Sequence, residues 1–410
     1  MAGTPLEEAS GRRLLVLGAG PAQIGLLQAA RERGLFTIAV DRDPSAPGFR
    51  YASRRAIVST EDELNVERLA DAERVDGIVS PGSDWPVAVA ARVAERLALP
   101  HPISPQTAVL ATSKLRQRER FAEAGVPQPR YAVCRSQEDA AEAARAIGLP
   151  CVVKAPDRQG QKGLTLVREP AELDAAVQTA LAAARSGLVL IEELIDGPEV
   201  TVNCFWTQNS FIPLTVTDRN VAGPPAFGVA LAHVWPPERA DGAVEAARAA
   251  SEALGIEDGP VYVQLRLGPT GPQVVELAAR VGGGHDAELC KAALGVDLNA
   301  LTIAAALGEP IEPPQPEPQV GGAVVRFLVA PPGPLQEVQG LEQAEAVEGV
   351  QWVRVYREPG YVFVPLRRGA DRAGAILAVG DSAADAVARA DRSAERVRFV
   401  TADAGALVET

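Results

Sequence analysis

Lysine is scarce in this chain. Of its 40 basic residues only four are lysine, at positions 114, 154, 162 and 291, and the others are arginine. Arginine and lysine are not interchangeable where a compact, strongly hydrated ammonium group is required. A chain that has replaced most surface lysines is expected to keep those with specific contacts, so the four positions are candidate binding residues.

Cysteine, histidine and long apolar stretches are also scarce. The four cysteines lie far apart without metal-ligand spacing, and three histidines are too few for a histidine-rich metal site. Scattered cysteines fit a reducing cytoplasm. No run of about 18 apolar residues is present, which argues against a membrane-spanning helix, and the acidic, polar start MAGTPLEEAS does not resemble a signal peptide. We therefore predict a cytoplasmic protein without a membrane partner.

An excess of positive charge is absent as well. The net charge is -13 at pH 7, and no basic stripe offsets the repulsion that phosphate backbones would exert. Nucleic acid is thus not expected as a partner. The 410 residues exceed what one hydrophobic core usually takes, so two or three domains are expected.

The first 110 residues alternate short apolar runs with helical periodicity, as parallel sheets with crossover helices do. A glycine turn, Gly18-Ala19-Gly20, follows the first strand, and Asp41 ends the second. A dinucleotide fingerprint requires glycine where Gln23 stands. Two interpretations remain open: a turn that lets strand and helix pack, or a nicotinamide dinucleotide site with Asp41 on the ribose.

Ser83 and Asp84 follow the predicted strand 77–80 and precede a helix. Open α/β sheets bind ligands at the carboxyl ends of their strands, and both residue types also cap helices. They are predicted as a helix cap, a substrate contact, or both.

A second α/β block contains two of the lysines. Lys154 ends the apolar strand 151–154, and the segment 156–163 is a loop with two glycines and two bases, one of them Lys162. Such a loop can cover phosphates with backbone N–H groups, although it lacks the spacing of a Walker loop. An ordinary mobile hairpin is the alternative.

Carboxylates frame the next strands. Glu192 and Glu193 end one apolar strand, and Glu199 begins the following one after a turn. These positions form a polar crevice that suits the edge of an adenine and the hydroxyls of a ribose. The residues 217–237 are predicted as a long loop, which contains Arg219 and His233; His233 is interpreted as a packed residue or a substrate contact.

The stretch 259–285 is predicted as a hairpin with an apolar face and a polar face. With a three-residue loop, 269–271, Gln264 lies opposite Glu276, and Leu265 lies opposite Val275. Oxygen ligands beside an arginine suit a magnesium-bound phosphate. A surface hairpin with a solvated polar face is the alternative.

In combination these motifs resemble the ATP-grasp superfamily, and within it the carboxylate–amine ligases of the L-amino-acid ligase and carbamoyl-phosphate synthetase type. The stretches that carry the resemblance are Ser113-Lys114, VVK ending at Lys154, the GQKG loop, IEELIDGPE, VQLR and ELAARVGGGH. The resemblance covers nearly the whole chain. It implies an enzyme that uses ATP and Mg²⁺ or Mn²⁺ to join a small carboxylate to an amine through an acyl-phosphate, and it allows a homodimer.

The resemblance also implies roles for individual residues, grouped here by ligand. For ATP they are Lys114, Lys154, Gly160, Lys162, Gly163, Glu192, Glu193, Leu194, Ile195 and Glu199. For the metal they are Gln264 and Glu276, and for the acyl-phosphate Arg280 together with Lys154. For the substrates, where the resemblance is weakest, they are Ser83, Asp84, Arg219, His233, Arg266 and His285.

The implied fold class is α/β and α+β multidomain. It comprises a Rossmann-like domain (residues 1–110), an ATP-grasp core in two parts (111–308, with a lid at about 128–191), a proline-rich linker (309–320) and a small α+β C-terminal domain (321–410). One departure matters: the family has Glu-x-Asn on the second metal strand, whereas this chain has Ala278 at the third position. Ala278 is the feature that supports a nucleotide-binding protein with weakened catalysis. A bicarbonate-activating enzyme and the dinucleotide dehydrogenase stay open on other grounds.

Overall fold

The N-terminal part of the chain folds around a four-stranded parallel sheet. The computed structural model describes residues 11–402. The apolar runs predicted as strands pair in the order β3-β2-β1-β4, and residues 14–17 of the central strand are buried, as expected for a sheet covered by helices on both faces. The elements are β1 (Arg13–Leu17), α1 (Ile24–Glu32), β2 (Phe36–Val40), β3 (Arg54–Ala56), α2 (Glu63–Ala72), β4 (Gly77–Val79), α3 (Trp85–Arg96), α4 (Pro105–Ala111) and α5 (Lys114–Ala124).

The sequence pattern of residues 105–124 is that of one amphipathic helix, but the structure divides this stretch into α4 and α5. Ser113 has extended backbone geometry, and its hydroxyl accepts the N–H of Arg116 at 3.4 Å. A serine cap of this kind starts a new helix. Lys114 is consequently the first residue of α5, at the edge of a cavity of about 470 Å³.

A four-stranded antiparallel sheet, called the lid sheet here, follows. Its strands pair in the order β5-β8-β6-β7, and two helices pack on one face around a small apolar cluster. Lys154 is the last residue of β6, as predicted. The elements are β5 (Tyr131–Cys134), α6 (Gln137–Ile147), β6 (Cys151–Lys154), β7 (Leu164–Val167), α7 (Leu173–Ala183) and β8 (Val189–Glu193).

An eight-stranded sheet, called the central sheet here, forms the rest of the core. Its order is β13-β12-β9-β10-β11-β14-β18-β16, so strands from the C-terminal segment continue it beyond β11. Apolar clusters lie on both of its faces. Its elements and the helices between them are β9 (Glu199–Thr207), β10 (Ser210–Val221), β11 (Ala230–Trp235), α8 (Ala243–Ala253), β12 (Gly259–Gly268), β13 (Gly271–Ala278), α9 (Asp286–Leu294), α10 (Leu298–Ala306), β14 (Gly322–Leu328), β16 (Val350–Val355) and β18 (Gly374–Gly380).

The predicted loop at 217–237 is mostly strand, so that prediction is wrong. Residues 217–221 end β10 and residues 230–235 form β11, which leaves only 222–229 as the connection. The glycines and prolines of that short connection dominated the pattern. Its flanks, 217–221 and 230–235, cross the central sheet next to the cavity, which Arg219 and His233 line.

A small sheet completes the C-terminal part, in the order β17-β15-β19. Within residues 11–402 no single helix is long and apolar enough to cross a membrane, although α9 and α10, bent by 120° at the break between them, reach that length and composition together. The remaining elements are β15 (Gly333–Gln339), α11 (Leu341–Glu345), β17 (Val362–Phe363), α12 (Ala383–Ala394) and β19 (Arg398–Thr401).

Candidate active site

One cavity of about 470 Å³ lies where the N-terminal sheet, the lid sheet and the central sheet meet. Ligand sites commonly have this size and occur between domains. The C-terminal segment closes one side of it with the turn at 368–372. Most residues predicted for binding line this cavity, although they come from six separate stretches of the chain.

The predicted residues divide into two groups by their position. Gly163 and His285 do not line the cavity: Gly163 packs against α7, and His285 lies behind the cavity wall. The predicted residues that do line it are Ser83, Asp84, Lys114, Lys154, Gly160, Lys162, Glu192, Glu193, Leu194, Ile195, Glu199, Arg219, His233, Gln264, Arg266, Glu276 and Arg280.

The β12–β13 hairpin pairs Gln264 with Glu276, as predicted, but by a different route. The turn has two residues rather than three, because Gly268 pairs with Gly271. Leu265 then pairs with Val274 rather than with Val275, and Val275 forms a bulge before Glu276. The shorter turn and the extra residue of the bulge compensate each other. Both Gln264 and Glu276 consequently face the cavity.

A buried cluster of three charged side chains lies beside the hairpin. The Nζ of Lys154 is 2.6 Å from one carboxylate oxygen of Glu192, and the Nε of Arg118 is 2.7 Å from the other. All three side chains are at most 5% exposed. Burial would raise the pKa of Glu192, but the two cations outweigh it and hold that pKa at about 2. Burial lowers the pKa of Lys154 to about 8 despite the nearby carboxylate.

Arg118 was missed by sequence reasoning and connects this cluster to the hairpin. Its guanidinium donates to the backbone oxygens of Val274 and Val275, at 3.0 and 2.6 Å. The bulge thus presents two successive carbonyls to one guanidinium. In the sequence, an arginine among the charged residues of α5 indicates a solvent-exposed helix face, so nothing marked Arg118 as buried. Its neighbour Gln117 is buried as well and also forms hydrogen bonds with β13.

Lys114 and Glu276 form an ion pair at the cavity edge. The Nζ of Lys114 is 2.6 Å from Oε1 of Glu276 and also donates to the carbonyl of Arg158 at 2.7 Å. Burial would lower the pKa of Lys114, but Glu276 and Asp84 raise it above the ordinary value. Lys114 is therefore a firmly charged ammonium group, in contrast to Lys154.

Glu199 accepts several donors at once. It pairs with Arg219, and the Nε2 of Gln264 donates to its Oε1 at 2.6 Å. Arg266 approaches its other oxygen at 3.5 Å. The Nε of Arg219 is buried without a hydrogen-bond partner in the described part of the chain, which indicates that this wall has donors to spare for a ligand.

Arg280 is held by Asp84 rather than by a residue of the hairpin. Its Nη2 and Nε lie 2.5 and 2.8 Å from Oδ1 of Asp84. Asp84 occupies the cap position of α3, but its side chain makes no capping bond. Asp84 was predicted as a helix cap or as a substrate contact, and in the structure its side chain lines the cavity instead of capping α3. Ser83 beside it also lines the cavity.

The loop after Lys154 is attached to two different parts of the molecule through glutamine side chains. The amide N–H of Asp84 donates to the side chain of Gln159, and the N–H of Gly369 donates to that of Gln161 at 3.2 Å. Burial and neighbouring arginines, including Arg158, lower the pKa of Lys162. The loop thus spans the cavity between the N-terminal sheet and the C-terminal turn.

His233 lies on β11 in the cavity wall and is 2% exposed. Its Nδ1 is 3.8 Å from Asp286, too far for a hydrogen bond, and has no other partner in residues 11–402. Burial lowers its pKa to about 4. His233 is therefore a neutral imidazole at physiological pH.

The C-terminal segment contributes residues that the sequence did not indicate. Tyr356, Arg368 and Arg372 line the cavity. The guanidinium of Arg372 lies 3.6 Å from the centre of the Phe327 ring and donates to the carbonyl of Gly369 at 2.8 Å. Loop residues of this kind reach a site only through the tertiary fold, and their sequence carries no periodic signal.

The N-terminal glycine turn is occupied by its own side chains. The N–H of Ala19 donates to the carboxylate of Asp41 at 3.0 Å, and the side-chain amide of Gln23 donates to the carbonyl of Pro81. A β-carbon at Gly18 would lie 2.8 Å from Gln23. Asp41 and Gln23 therefore hold the turn itself together, which agrees with a glycine turn that lets strand and helix pack and not with a dinucleotide site.

The side chains present fit a magnesium nucleotide. Ammonium and guanidinium groups for phosphates face the same cavity as the oxygens of Gln264 and Glu276. No three His, Cys, Asp or Glu side chains of residues 11–402 are grouped to hold a metal by themselves. Mg²⁺ usually takes one or two protein ligands and shares the rest with phosphates and water, so this sparse set suits it. Ala278 supplies no third ligand.

Comparison with known families agrees with this geometry. The family model described as phosphoribosylglycinamide synthetase, ATP-grasp (A) domain, matches residues 112–220. The model described as L-amino acid ligase C-terminal domain 2 matches residues 326–402. The first match covers α5, the lid sheet and the strands β9 and β10 of the central sheet. The second covers most of the C-terminal segment.

Individual relatives match over nearly the full length. A formate-dependent phosphoribosylglycinamide formyltransferase of Burkholderia vietnamiensis is 30% identical over 423 aligned residues, covering 97% of this chain and 98% of the relative. The L-amino acid ligase structure from Bacillus licheniformis has a TM-score of 0.81 at 22% identity, covering 96% and 99%. The phosphoribosylglycinamide synthetase structure from Anaerococcus prevotii has a TM-score of 0.75 at 20% identity, covering 96% and 100%. The predicted resemblance and fold class are confirmed: the chain belongs to the ATP-grasp family and is an enzyme of the carbon–nitrogen ligase type.

Proposed function

We propose that the protein activates a small carboxylate with ATP as an acyl-phosphate and joins it to an amine, with release of ADP and phosphate. The observation that carries the proposal is the convergence of three separate cation–carboxylate pairs and the Gln264–Glu276 pair on one cavity. The three pairs are Lys114–Glu276, Lys154–Glu192 and Arg280–Asp84.

The pairs keep opposite charges close together in a low-dielectric site. A phosphate chain would draw on Lys114, Lys154 and Arg280, which are already positioned, so little reorganisation is required when charge develops. The loop 158–163 covers the same space, and the backbone of residues 193–195 offers an edge for adenine. Glu199, the first residue of β9, follows this segment after a turn and is assigned to the ribose. The domain division predicted from the sequence places ATP between the lid sheet and the central sheet.

Gln264 and Glu276 would hold Mg²⁺, which neutralises charge on the phosphoryl oxygens when it is bound. Arg280 approaches from the end of the same hairpin, close to where the acyl group would receive the phosphoryl group. Phosphoryl transfer depends mainly on such positioning and charge stabilisation. Because Ala278 has no side-chain oxygen, we propose that one protein-held metal suffices or that a substrate oxygen completes a second site.

The carboxylate is proposed to be small. The names of the relatives indicate L-amino acids, from the match of residues 326–402 to the L-amino acid ligase model, and formate, from the full-length formyltransferase relatives. Arg219, His233 and Arg266 surround the part of the cavity that we assign to substrate, with Ser83 at its rim. The amine would enter on the side closed by the turn at 368–372.

The test is a product analysis. The purified protein is supplied with Mg-ATP, formate or the standard L-amino acids as carboxylates, and ammonia or amino acids as amines. We expect ADP and phosphate to form in proportion to the amide. AMP and pyrophosphate as products would refute an acyl-phosphate intermediate. Phosphate release that requires bicarbonate instead of these carboxylates would favour the bicarbonate-activating alternative.

The metal assignment has its own variant. Glu276→Ala removes the only carboxylate of the predicted metal pair and should abolish turnover at saturating Mg²⁺. The matched control is Glu123→Ala, which removes an exposed carboxylate paired with Arg120 on α5 and should leave the rate unchanged. Full activity of Glu276→Ala would refute the assignment.

A further inference from the structure

A buried chain of three polar side chains leads away from the cavity and has no part in the function proposed above. Oε1 of Glu288 is 3.2 Å from Nδ1 of His285, and Nε2 of His285 is 2.6 Å from the hydroxyl of Tyr356. Only Tyr356 of the three lines the cavity. His285 and Tyr356 are 3% and 4% exposed. The order is thus carboxylate, imidazole, phenol, cavity.

Arginine and aromatic residues fix this chain in place. Arg354 pairs with Glu288, lies 3.1 Å from Nδ1 of His285, and donates to Gln28 of α1 at 2.7 Å. The imidazole packs against the rings of Phe327 and Trp352, with centroids 6.3 and 5.1 Å away. Such packing keeps water from the ring and limits its rotation.

His285 also adopts an unfavourable backbone conformation. Its φ is 61° and its ψ is 28°, in the left-handed region. For a residue other than glycine this conformation is strained, and such residues concentrate at functional sites. The conformation places the ring behind Tyr356 while the preceding glycines, Gly283 and Gly284, line the cavity.

The charge states suit proton movement. Burial lowers the pKa of His285, so the ring is neutral before the reaction, and only the neighbouring carboxylate of Glu288 favours its protonated form. Burial alone would raise the pKa of Glu288, but His285 and Arg354 keep it below its ordinary value, so the carboxylate is charged. Nδ1 has the carboxylate of Glu288 at 3.2 Å and the guanidinium of Arg354 at 3.1 Å. The relay uses the tautomer in which Nδ1 donates its proton to Glu288, which leaves the lone pair of Nε2 directed at the phenol.

We propose that Tyr356 accepts the proton of the attacking amine and passes its own phenolic proton to Nε2 of His285. This inference rests on the proposed ligase function. The nitrogen–carbon bond forms, the carbon–oxygen bond to phosphate breaks, and phosphate leaves with its electron pair. The amine proton moves to the Tyr356 oxygen as the phenolic proton moves to His285, and Glu288 stabilises the imidazolium. The proton returns to solvent through Tyr356 after the products leave.

Hydroxylamine separates this role from a structural one. It is a weakly basic amine that attacks acyl-phosphates with little help from a base, and its hydroxamate products are measured by their ferric complexes. Wild type, Tyr356→Phe and the control Tyr361→Phe are compared with Mg-ATP and the L-amino acid mixture plus formate, with ammonia or hydroxylamine as the amine. Tyr361 packs on Phe363 away from the cavity.

Tyr356→Phe should lose about 100-fold or more in amide formation with ammonia, the usual contribution of a positioned base. Its hydroxamate formation should stay near the wild-type rate, and Tyr361→Phe should match wild type in both reactions. Glu288→Gln should show the same selective loss in milder form, which provides a second reading if Tyr356→Phe is unstable.

Equal losses of amide and hydroxamate in Tyr356→Phe and Glu288→Gln would overturn the relay, because a structural defect affects both reactions. Unchanged amide formation in these variants would overturn it as well. A wild-type protein that forms neither product, yet binds ATP, would instead refute the proposed function, and the relay with it.

Discussion

At the scale of single residues, burial sets apart two lysines that are otherwise similar. Both lie in the cavity and both pair with a glutamate at 2.6 Å. Lys154 has Arg118 as a near neighbour, and burial lowers its pKa from 10.5 to about 8. Lys114 faces several carboxylates and its pKa is raised. Only Lys154 therefore changes charge near physiological pH.

This difference predicts a pH dependence of ATP use. Because the pKa of Lys154 is lowered, its ammonium group is present below pH about 8 and is lost as the pH rises through that value. We expect kcat/KM for ATP, which reports the free enzyme, to fall above that pH. Lys154→Arg should remove the inflection, since arginine stays charged, although its larger fork should weaken binding throughout. A wild-type profile that stays level through pH 8 to 9 would contradict the role of Lys154 in phosphate binding.

At the scale of elements, α5 holds the hairpin and the lid strand β8 together through one guanidinium. Arg118 contacts Glu192 of β8 and the carbonyls of β13, so it bridges the lid sheet and the central sheet. It is 1% exposed, which is rare for arginine unless it is fully paired. Helix α5 thus stabilises the position of β8 and β13 beside the cavity.

Arg118→Ala should destabilise the protein by about 3–5 kcal/mol, because it leaves a buried carboxylate with one cation fewer and two carbonyls unpaired. Arg120→Ala on the same helix, which breaks an exposed pair with Glu123, should change the free energy of unfolding by less than about 1 kcal/mol. Denaturant unfolding followed by circular dichroism measures both. Similar values for the two variants would show that the buried cluster contributes no more than a surface pair.

Sequence patterns revealed some of these elements and not others. Strand periodicity predicted that Gln264 and Glu276 lie side by side, because alternation alone decides which residues share a face. It could not reveal the bulge, since a shorter turn with an extra residue gives the same pair. Arg118 escaped notice because a charged residue on a helix is usually solvated, and Tyr356 because only the long-range pairing of the C-terminal strands brings it to the cavity.

At the scale of the whole molecule, the central sheet continues from the ATP-grasp core into the C-terminal segment. β14 pairs antiparallel with β11, and β18 pairs with β14. The apolar cluster below α9 includes Phe327 and Leu377 from this segment. The segment thus completes the core as well as closing the cavity.

A chain that ends at residue 320 should therefore fail to form a stable monomer. It would expose the edge of β11 and the apolar residues that β14 covers, and unpaired edges promote aggregation. Size-exclusion chromatography and thermal unfolding of this shortened chain, beside the full-length protein, test the expectation. A monomeric product with cooperative unfolding would show that the C-terminal segment is an independent addition.

The bulge at Val275 determines which changes in length the hairpin tolerates. A chain without Val275 would still pair Gln264 with Glu276, because Val274 and Glu276 would then follow each other in regular alternation. It would lose one of the two adjacent carbonyls that Arg118 contacts. Removal of one residue from the turn would instead shift the register and turn Glu276 to the opposite face. Related chains that keep the arginine of α5 should accordingly keep the bulge. They should also keep the length of the turn, because strand pairing depends on it.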